Sequence, residues 1–336
     1  MSSRVLVIYT GGTIGMTPRE DGALAPGNKQ ELLRYLPSSR DGIEWDLLAL
    51  TPVDSSDIGP REWLSFASTI EREYAAWDGF VVLHGTDTMA YTASALSFLF
   101  DGLSKPVVLT GSQTPLFHER TDGRLNFLNA LRIAGGRPLV PEVTICFGNV
   151  LLRGNRARKM STLETDAFDS PNFRPLGAVE SEIVIERLLV RPPPQGPFQA
   201  ARALCEDIAD ITIVPGLKPA LLRDLLCKPP LRGAILRTFG RGNLPASEEI
   251  YNVLAEAVDS GKVIVNVTQC ARGAVDMRLY ESGRRLLHIG VTSGLDMTPE
   301  AAFTKLSWLL GQEATLPEVR LRMQNDERGE LTQSCD

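Results

Sequence analysis

Residues 9–15 read Tyr9-Thr10-Gly11-Gly12-Thr13-Ile14-Gly15 and follow directly on the apolar run 5–8, which predicts a buried β-strand. Two adjacent glycines let the backbone turn sharply and bring its N–H groups close to a ligand. Thr13 adds a hydroxyl at the mouth of this turn. The stretch 16–22 is polar and contains a proline, so no helix N-terminus is available to bind a phosphate. The glycine spacing also differs from the dinucleotide fingerprint.

Short apolar runs alternate with helical patterns after this turn. The runs predict strands at 5–9, 80–83, 107–110 and 143–147, and the periodicity predicts helices at 88–100 and 122–134. A further helix is predicted to begin at Pro60, because proline suits the first helical turn and apolar residues recur at helical spacing as far as Trp77. Such alternation predicts a mainly parallel sheet that helices cover on both faces.

A proline-rich stretch, Arg191-Pro192-Pro193-Pro194-Gln195-Gly196-Pro197, can be neither a helix nor a central strand. The alternation resumes after it, with strands predicted at 211–214, 234–236 and 263–267 and helices at 220–226, 248–259, 299–310 and 317–324. We therefore predict two α/β domains, each a mainly parallel sheet flanked by helices. The predicted boundaries are 1–190 for an N-terminal catalytic domain, 191–210 for the linker and 211–336 for a C-terminal domain.

The composition predicts an ordinary soluble globular protein, with 43% hydrophobic and 23% charged residues. A net charge of −6 argues against a nucleic-acid partner, and no apolar run approaches the length of a membrane span. The N-terminus does not resemble a signal peptide. The five cysteines are scattered and form no Cys-x-x-Cys pair, which predicts reduced thiols in a cytoplasm and no structural zinc. The three histidines lack metal-site spacing, and we expect no metal and no cofactor.

Ligands bind outside the carboxyl ends of the strands in a parallel α/β sheet. Four polar clusters are predicted to lie at this edge, at 10–15, 54–57, 84–88 and 111–113. Among their side chains are the Asp87 carboxylate and the hydroxyls of Thr13, Ser55, Ser56, Thr86 and Ser112. Hydroxyls and N–H groups can take a carboxylate and Asp87 can take an ammonium, so the set suits a small zwitterion. The same groups could also carry out acyl transfer.

A threonine hydroxyl needs an adjacent base before it can act as a nucleophile. His84 lies at the end of its predicted strand, and we expect it to be packed and hydrogen-bonded rather than catalytic. Lys159 is the other candidate, since a buried lysine near other cations can lose its proton. It closes a basic run at 153–159, so a solvated loop is the alternative interpretation. The sequence contains no Gly-x-Ser-x-Gly elbow of the α/β-hydrolase type.

The ordered motifs resemble those of the bacterial-type L-asparaginases, in their cytoplasmic type I branch. The paired glycine–threonine signatures at 10–15 and 83–89 carry the resemblance, and the segments 54–57, 153–156, 240–243 and 294–298 extend it over nearly the whole chain. It implies two α/β domains, a homodimer or homotetramer, and cofactor-free hydrolysis of L-asparagine to L-aspartate and ammonia.

The resemblance also implies roles for individual residues. Thr13 would be the nucleophile on a mobile loop, and Thr86, Asp87 and Lys159 would form a second essential set. Ser55, Ser56 and Asp87 would hold the α-carboxylate and α-ammonium, and Ser112 belongs to the same predicted pocket. Asn243 would reach the site from a partner subunit, although a simple surface turn is the alternative. Arg237 and Cys270 match positions of a second, regulatory asparagine site.

Two positions depart from the family pattern. Where many members carry a loop tyrosine that orients the first threonine, this chain has Ala23, and the residue before the lysine is Arg158 rather than threonine. Three other functions are possible in principle. The first is a non-catalytic amino-acid sensor, which could lose Thr13, Thr86, Asp87 or Lys159 without losing its function. A nicotinamide-dependent oxidoreductase would need a helix after Gly15, and an amidotransferase would need an added docking domain.

Overall fold

The structure is a computed structural model that describes residues 2–37, 42–136 and 139–333. The chain divides into two compact units, the first ending at Arg202 and the second beginning at Ala203. This division falls inside the segment 191–210. Cys335 lies outside the described residues.

The strands of the first unit are β1 (Ser3–Gly11), β2 (Met16–Pro18), β3 (Leu24–Pro26), β4 (Ile43–Val53), β5 (Gly79–Leu83), β6 (Phe100–Asp101), β7 (Val107–Thr110), β8 (Val143–Phe147), β9 (Val150–Arg153), β10 (Arg158–Lys159), β11 (Phe168–Asp169), β12 (Gly177–Val179), β13 (Ile183–Ile185) and β14 (Gln199–Ala200). Its helices are α1 (Lys29–Tyr35), α2 (Pro60–Glu73), α3 (Met89–Leu99) and α4 (Gly123–Ala134).

Eight of these strands form one sheet in the order β13-β12-β9-β8-β7-β5-β1-β4. The pairs from β8 to β4 are parallel, whereas β8–β9, β9–β12 and β12–β13 are antiparallel. Residues 5–9 of β1 and all of β5 are buried on both faces of the sheet. Helices and loops thus cover both faces in the central part of the sheet, as parallel sheets require.

One face of the large sheet carries an apolar cluster that holds two helices. Val7 and Val81 from the strands pack with Leu32 of α1 and Phe127 of α4, all nearly inaccessible to solvent. Helix α2 begins at Pro60 as predicted and buries Trp63, Phe66, Ala67 and Ile70. It ends at Glu73, earlier than its periodicity indicated, because residues 74–76 tighten into a 3₁₀ turn.

The second unit contains a smaller, fully parallel sheet. Its strands are β15 (Ile208–Thr212), β16 (Gly233–Thr238), β17 (Val263–Thr268) and β18 (Thr292–Ser293), paired in that order. Its helices are α5 (Pro219–Leu226), α6 (Glu248–Asp259), α7 (Glu281–Ile289), α8 (Pro299–Leu310) and α9 (Leu316–Met323). The predicted class, two α/β units each built on a mainly parallel sheet with helices, is confirmed.

Helix α8 is buried along nearly its whole length and fixes the C-terminal segment of the second unit. Lys305 and Glu330, both inaccessible to solvent, form an ion pair, and the Lys305 Nζ also donates to the Asn325 carbonyl at 2.6 Å. Within the described ranges, no helix combines the length and apolar character that a bilayer crossing needs.

Candidate active site

Four polar segments follow four neighbouring strands of the large sheet. β7, β5, β1 and β4 are adjacent in the sheet and mutually parallel, so their carboxyl ends lie along one edge. The segments predicted to share a crevice, at 10–15, 54–57, 84–88 and 111–113, therefore begin at the same edge. The sheet topology alone brings together residues that lie up to a hundred positions apart in the sequence.

Glycines allow three of these segments to pack closely against one another. Gly12 has φ +88°, and a Cβ added there would lie 2.3 Å from the amide nitrogen of Gly85. A Cβ at Gly85 would lie 2.5 Å from the Ser55 Oγ and 3.2 Å from the Gly12 Cα. No side chain could therefore fit at Gly12 or Gly85. The turn that carries Thr13, the turn that carries Thr86 and the Ser55 side chain are packed directly against one another.

Lys159 reaches the turn after β5. Its Nζ lies 2.7 Å from the Thr86 Oγ1 and 2.6 Å from the Asp87 Oδ1. Strand β10, which ends at Lys159, is held by antiparallel pairing with β11. The Lys159 side chain is 16% exposed and that of Asp87 is 66% exposed, so the lysine is sheltered while the carboxylate faces solvent. This arrangement excludes the solvated-loop interpretation of Lys159.

A polar contact that the sequence did not reveal completes this cluster. The buried Thr86 hydroxyl donates to the Gln113 Oε1 at 3.3 Å, and the Gln113 amide donates to the Glu164 carbonyl at 3.2 Å. The Asp122 carboxylate in turn accepts from the Gln113 backbone N–H at 2.9 Å. Gln113 stood within a predicted polar cluster, but sequence spacing gave no sign that its side chain meets Thr86.

His84 is buried completely and has both ring nitrogens engaged. Its Nδ1 lies 2.7 Å from the Gly85 carbonyl oxygen and its Nε2 lies 2.9 Å from the Thr92 Oγ1. Burial lowers the pKa of His84 to about 4, because an imidazolium would lose its hydration there. The imidazole is therefore neutral at pH 7 and packed, as expected. Through Gly85 it contacts the turn that carries Thr86.

Ser55 and Ser56 form a 3₁₀ turn after β4. The Asp54 carboxylate accepts from the backbone N–H of Ser56 at 2.9 Å and from its hydroxyl at 2.5 Å. These hydrogen bonds lower the pKa of Asp54. Thr88 donates its hydroxyl to the Ser55 carbonyl at 2.6 Å, which ties this turn to the start of α3. Ser55 is buried against Gly85, whereas Ser56 is exposed.

Ser112 is fully buried, and its Oγ has no hydrogen-bond partner among the described residues. A Cβ at Gly123 would lie 3.1 Å from the Ser112 Cβ, which places this side chain against the first residue of α4. Ser112 thus lies deeper in the unit than Asp87 or Ser56, although all three follow strands of the same edge.

Thr13 begins a 3₁₀ turn that leads into a hairpin. Strands β2 and β3 pair antiparallel after the turn, and the Gly27 N–H donates to the Gly15 carbonyl at 2.8 Å, which closes the base of the hairpin. The segment expected to be an irregular polar loop is therefore a short β-ribbon. Its tip contains Ala23, whose backbone bonds to Arg19 and to the Asp21 carboxylate.

Three predicted residues belong to the second unit. Asn243 lies in a tight turn in which its N–H donates to the Phe239 carbonyl at 2.8 Å, and its Oδ1 accepts from the Ser282 hydroxyl at 2.7 Å. Arg237 lies in β16 and pairs with Val267 of the neighbouring strand β17, and Cys270 follows the end of β17. The Arg237 guanidinium forms a two-point ion pair with Asp210, one bond of which measures 2.7 Å.

Taken together, these features define an α/β protein with a threonine–lysine–carboxylate site at the carboxyl edge of a parallel sheet. Two family models match the chain: asparaginase, N-terminal, over residues 4–191, and glutaminase/asparaginase C-terminal domain over residues 207–323. Within the described residues, no group of three His, Cys, Asp or Glu side chains could hold a metal ion.

Individual relatives agree with these models. The chain is 44% identical to L-asparaginase 1 of Escherichia coli K12 over 98% of both chains. It is 42% identical to the human 60 kDa lysophospholipase over 98% of this chain and 61% of that protein. The crystal structure of L-asparaginase I from Vibrio cholerae superimposes with a TM-score of 0.89 at 40% identity, covering 99% of this chain and 100% of that one. The chain belongs to the asparaginase family.

Proposed function

We propose that this protein hydrolyses L-asparagine to L-aspartate and ammonia through an ester between the substrate and Thr13. The observation that carries the proposal is the contact of Lys159 with both Thr86 and Asp87. A lysine at this distance from a hydroxyl can accept its proton once the lysine itself is neutral. Binding alone would not require the contact of Lys159 with the Thr86 hydroxyl.

In the first half of the reaction, the Thr13 Oγ1 attacks the side-chain amide carbon of asparagine. The Thr13 hydroxyl proton passes to the Thr86–Lys159 pair. The tetrahedral intermediate collapses, the C–N bond breaks, and the nitrogen leaves as ammonia after taking a proton. In the second half, water attacks the ester carbon, the Thr13 oxygen regains a proton, and aspartate is released. Thr86 and Lys159 supply the proton-accepting and proton-donating groups for these steps.

The substrate is held at its other end. Ser55 and Ser56 would donate to the α-carboxylate, and Asp87, which faces solvent, would accept from the α-ammonium. In the free protein the Ser56 hydroxyl donates its proton to Asp54 at 2.5 Å, so it must turn away from Asp54 to donate to the α-carboxylate. Ser112 would line the same pocket from its buried position behind the edge of the sheet.

The remaining assignments rest on the family resemblance. Asn243 would complete the site of a partner subunit, so the active form would be a homodimer or homotetramer, located in the cytoplasm. Arg237 and Cys270 would form a regulatory asparagine site. A ligand carboxylate there would have to displace Asp210 from Arg237. Sigmoidal rate curves that become hyperbolic in Cys270→Ala would support that site, and hyperbolic curves in both proteins would contradict it.

The Lys159→Met variant tests the proposal, with ammonia release from asparagine as the readout. We expect turnover to be abolished while asparagine still raises the melting temperature, since Ser55, Ser56 and Asp87 remain. Lys105→Met is a matched control, because the Lys105 Nζ donates to the Tyr74 and Trp77 carbonyls, both at 2.6 Å, and these residues do not belong to the proposed site. Normal turnover in Lys159→Met would contradict the proposal.

A further inference from the structure

Tyr9, the last apolar residue of β1 before the glycine turn, has a hydroxyl without a partner. The side chain is fully buried and belongs to the apolar cluster under α1 and α4. Its Oη has no hydrogen-bond partner among the described residues. Two other fully buried hydroxyls at strand ends are satisfied: Thr10 donates to the Leu83 carbonyl at 2.9 Å and Thr110 to the Cys146 carbonyl at 2.7 Å. A buried, unpaired hydroxyl is unusual and calls for an explanation.

The Tyr9 hydroxyl lies directly beneath the turn that presents Thr13. A Cβ added at Gly15 would be 2.3 Å from the Tyr9 Oη and 2.6 Å from its Cζ, so the tip of the phenol touches the last residue of the turn. Glycine at position 15 is what permits this approach.

The turn offers acceptors for that hydroxyl. The carbonyls of Gly12, Ile14 and Gly15 each accept one backbone bond, from Gly15 at 3.1 Å, Leu116 at 3.2 Å and Gly27 at 2.8 Å. A carbonyl oxygen has two lone pairs and can take a second donor. A small displacement of the turn would therefore bring one of its oxygens within reach of Tyr9.

The Tyr9 phenol can donate a hydrogen bond at neutral pH. Burial, together with the negative charge of Glu31, raises the pKa of Tyr9 to about 12. Tyr9 therefore keeps its proton and is unsuited to be the base that activates Thr13.

We propose that Tyr9 is a positioning residue: its hydroxyl bonds to an oxygen of the Thr13–Gly15 turn when asparagine binds, and this bond holds the Thr13 hydroxyl for attack. The inference rests on the proposed role of Thr13 as nucleophile. It also explains why an unpaired hydroxyl is kept in the core, since its partner arrives only in the substrate-bound turn.

Tyr9→Phe tests the inference, because phenylalanine keeps the ring packing and removes only the hydroxyl. We expect kcat for asparagine to fall about tenfold, the effect of one neutral hydrogen bond. KM should change by less than about twofold, because the groups that hold the two ends of the substrate are untouched. The melting temperature of the free protein should stay the same or rise, since no bond is lost there.

Tyr74→Phe is the matched control. The Tyr74 Oη accepts from the Ser104 N–H at 2.8 Å and lies 3.1 Å from the Ser104 Oγ, and neither residue belongs to the proposed site. Its removal leaves a donor unpaired, so the melting temperature should fall while kcat and KM stay unchanged. The two variants should thus show opposite patterns of stability and activity.

Thr13→Ala, assayed in parallel, separates the two proposals. If Thr13→Ala is inactive and Tyr9→Phe retains the wild-type kcat, the role of Tyr9 is refuted and that of Thr13 stands. If Thr13→Ala is active, both are refuted. A crystal structure of the Lys159→Met protein with asparagine bound is the second test. The Tyr9 Oη should lie within about 3.2 Å of an oxygen of the turn; an Oη that is still unpaired would overturn the inference.

Discussion

The Nζ of Lys159 lies 2.7 Å from the Oγ1 of Thr86, although 73 positions separate these residues along the chain. The contact joins a two-residue edge strand to the end of a central strand of the large sheet. The Thr86 hydroxyl, the Lys159 ammonium group and the Asp87 carboxylate thus form one cluster, which lies at the centre of the proposed site.

Loss of either threonine hydroxyl should remove activity without unfolding the protein. Thr13→Ala and Thr86→Val should each lower kcat by about 10⁴-fold, because nucleophile and base act as a coupled set. Thr144→Val is the control, since the Thr144 hydroxyl is buried, lacks a partner among the described residues and lies in β8. Ammonia release by the pure proteins is the measurement. Near-normal turnover in either site variant would reject the assignment of that threonine.

The contact between Gly12 and Gly85 should not tolerate a methyl group. Gly12→Ala would place a Cβ 2.3 Å from the Gly85 nitrogen, so the two turns must separate and kcat should fall at least tenfold. Gly216→Ala is matched in φ, with +82° against +88°, but has no atom within 4 Å of the added Cβ. It should cost only the strain of a left-handed residue and keep its activity. Equal kcat values in the two variants would show that the close approach is not needed.

These cases show how far the sequence could predict this protein. Strands β1, β5, β7 and β8 were predicted because each is a short, uniformly apolar run, and α2, α4 and α6 because their apolar residues keep helical spacing. The alternation of strands and helices also predicted that the site residues lie at the carboxyl edge of the parallel sheet. Helix α7 was missed, since only Gly283 and Leu286 are buried in it and most of its other side chains are polar.

Other features depend on tertiary contacts that leave no local signal. The antiparallel extension through β9, β12 and β13 and the β2–β3 ribbon arise from pairing between short segments. Lys159 could be recognised as a candidate but not placed, because its position depends on the pairing of β10 with β11. The meeting of Gln113 with Thr86 likewise depends on the loop that follows β7.

The stability of the first unit should fall as the pH drops from about 6.5 toward 4. In the unfolded chain His84 takes up a proton near its ordinary pKa of 6.5, whereas in the fold burial lowers the pKa of His84 to about 4. The unfolded state therefore binds more protons in this window, and the free energy of unfolding decreases by up to about 3 kcal/mol. Denaturant unfolding of wild type and His84→Gln at pH 7 and pH 5 is the measurement. An equal loss in both proteins would show that His84 is not the source.

Asparagine should be preferred over glutamine. Ser55, Ser56 and Asp87 are proposed to hold the α-groups while the side-chain amide meets Thr13, so one extra methylene displaces the reacting carbon. Loss of the near-attack geometry can cost about 10²-fold in rate. The kcat/KM values for asparagine and glutamine provide the test. Equal values would refute the proposal that the α-groups and the side-chain amide are held at the same time. Ser56→Ala should raise KM for asparagine, because one of the two hydroxyls proposed to hold the α-carboxylate is lost.

Activity should depend on assembly if Asn243 completes a neighbouring site. Asn243→Ala and Thr13→Ala should each be inactive alone. After mixing and subunit exchange, some hybrid dimers would contain one site with both native residues, and activity should return. Exchange is verified by mass on intact complexes. If activity does not recover despite complete exchange, Asn243 does not act across a subunit boundary.

Rapid acid quenching of the wild-type enzyme during turnover of asparagine should trap the ester on Thr13. Peptide mass spectrometry of the quenched protein should find the mass of one aspartyl group on the peptide that contains Thr13, and no such adduct in Thr13→Ala. An aspartyl adduct on Thr86 or on another residue, with Thr13 unmodified, would show that Thr13 is not the nucleophile.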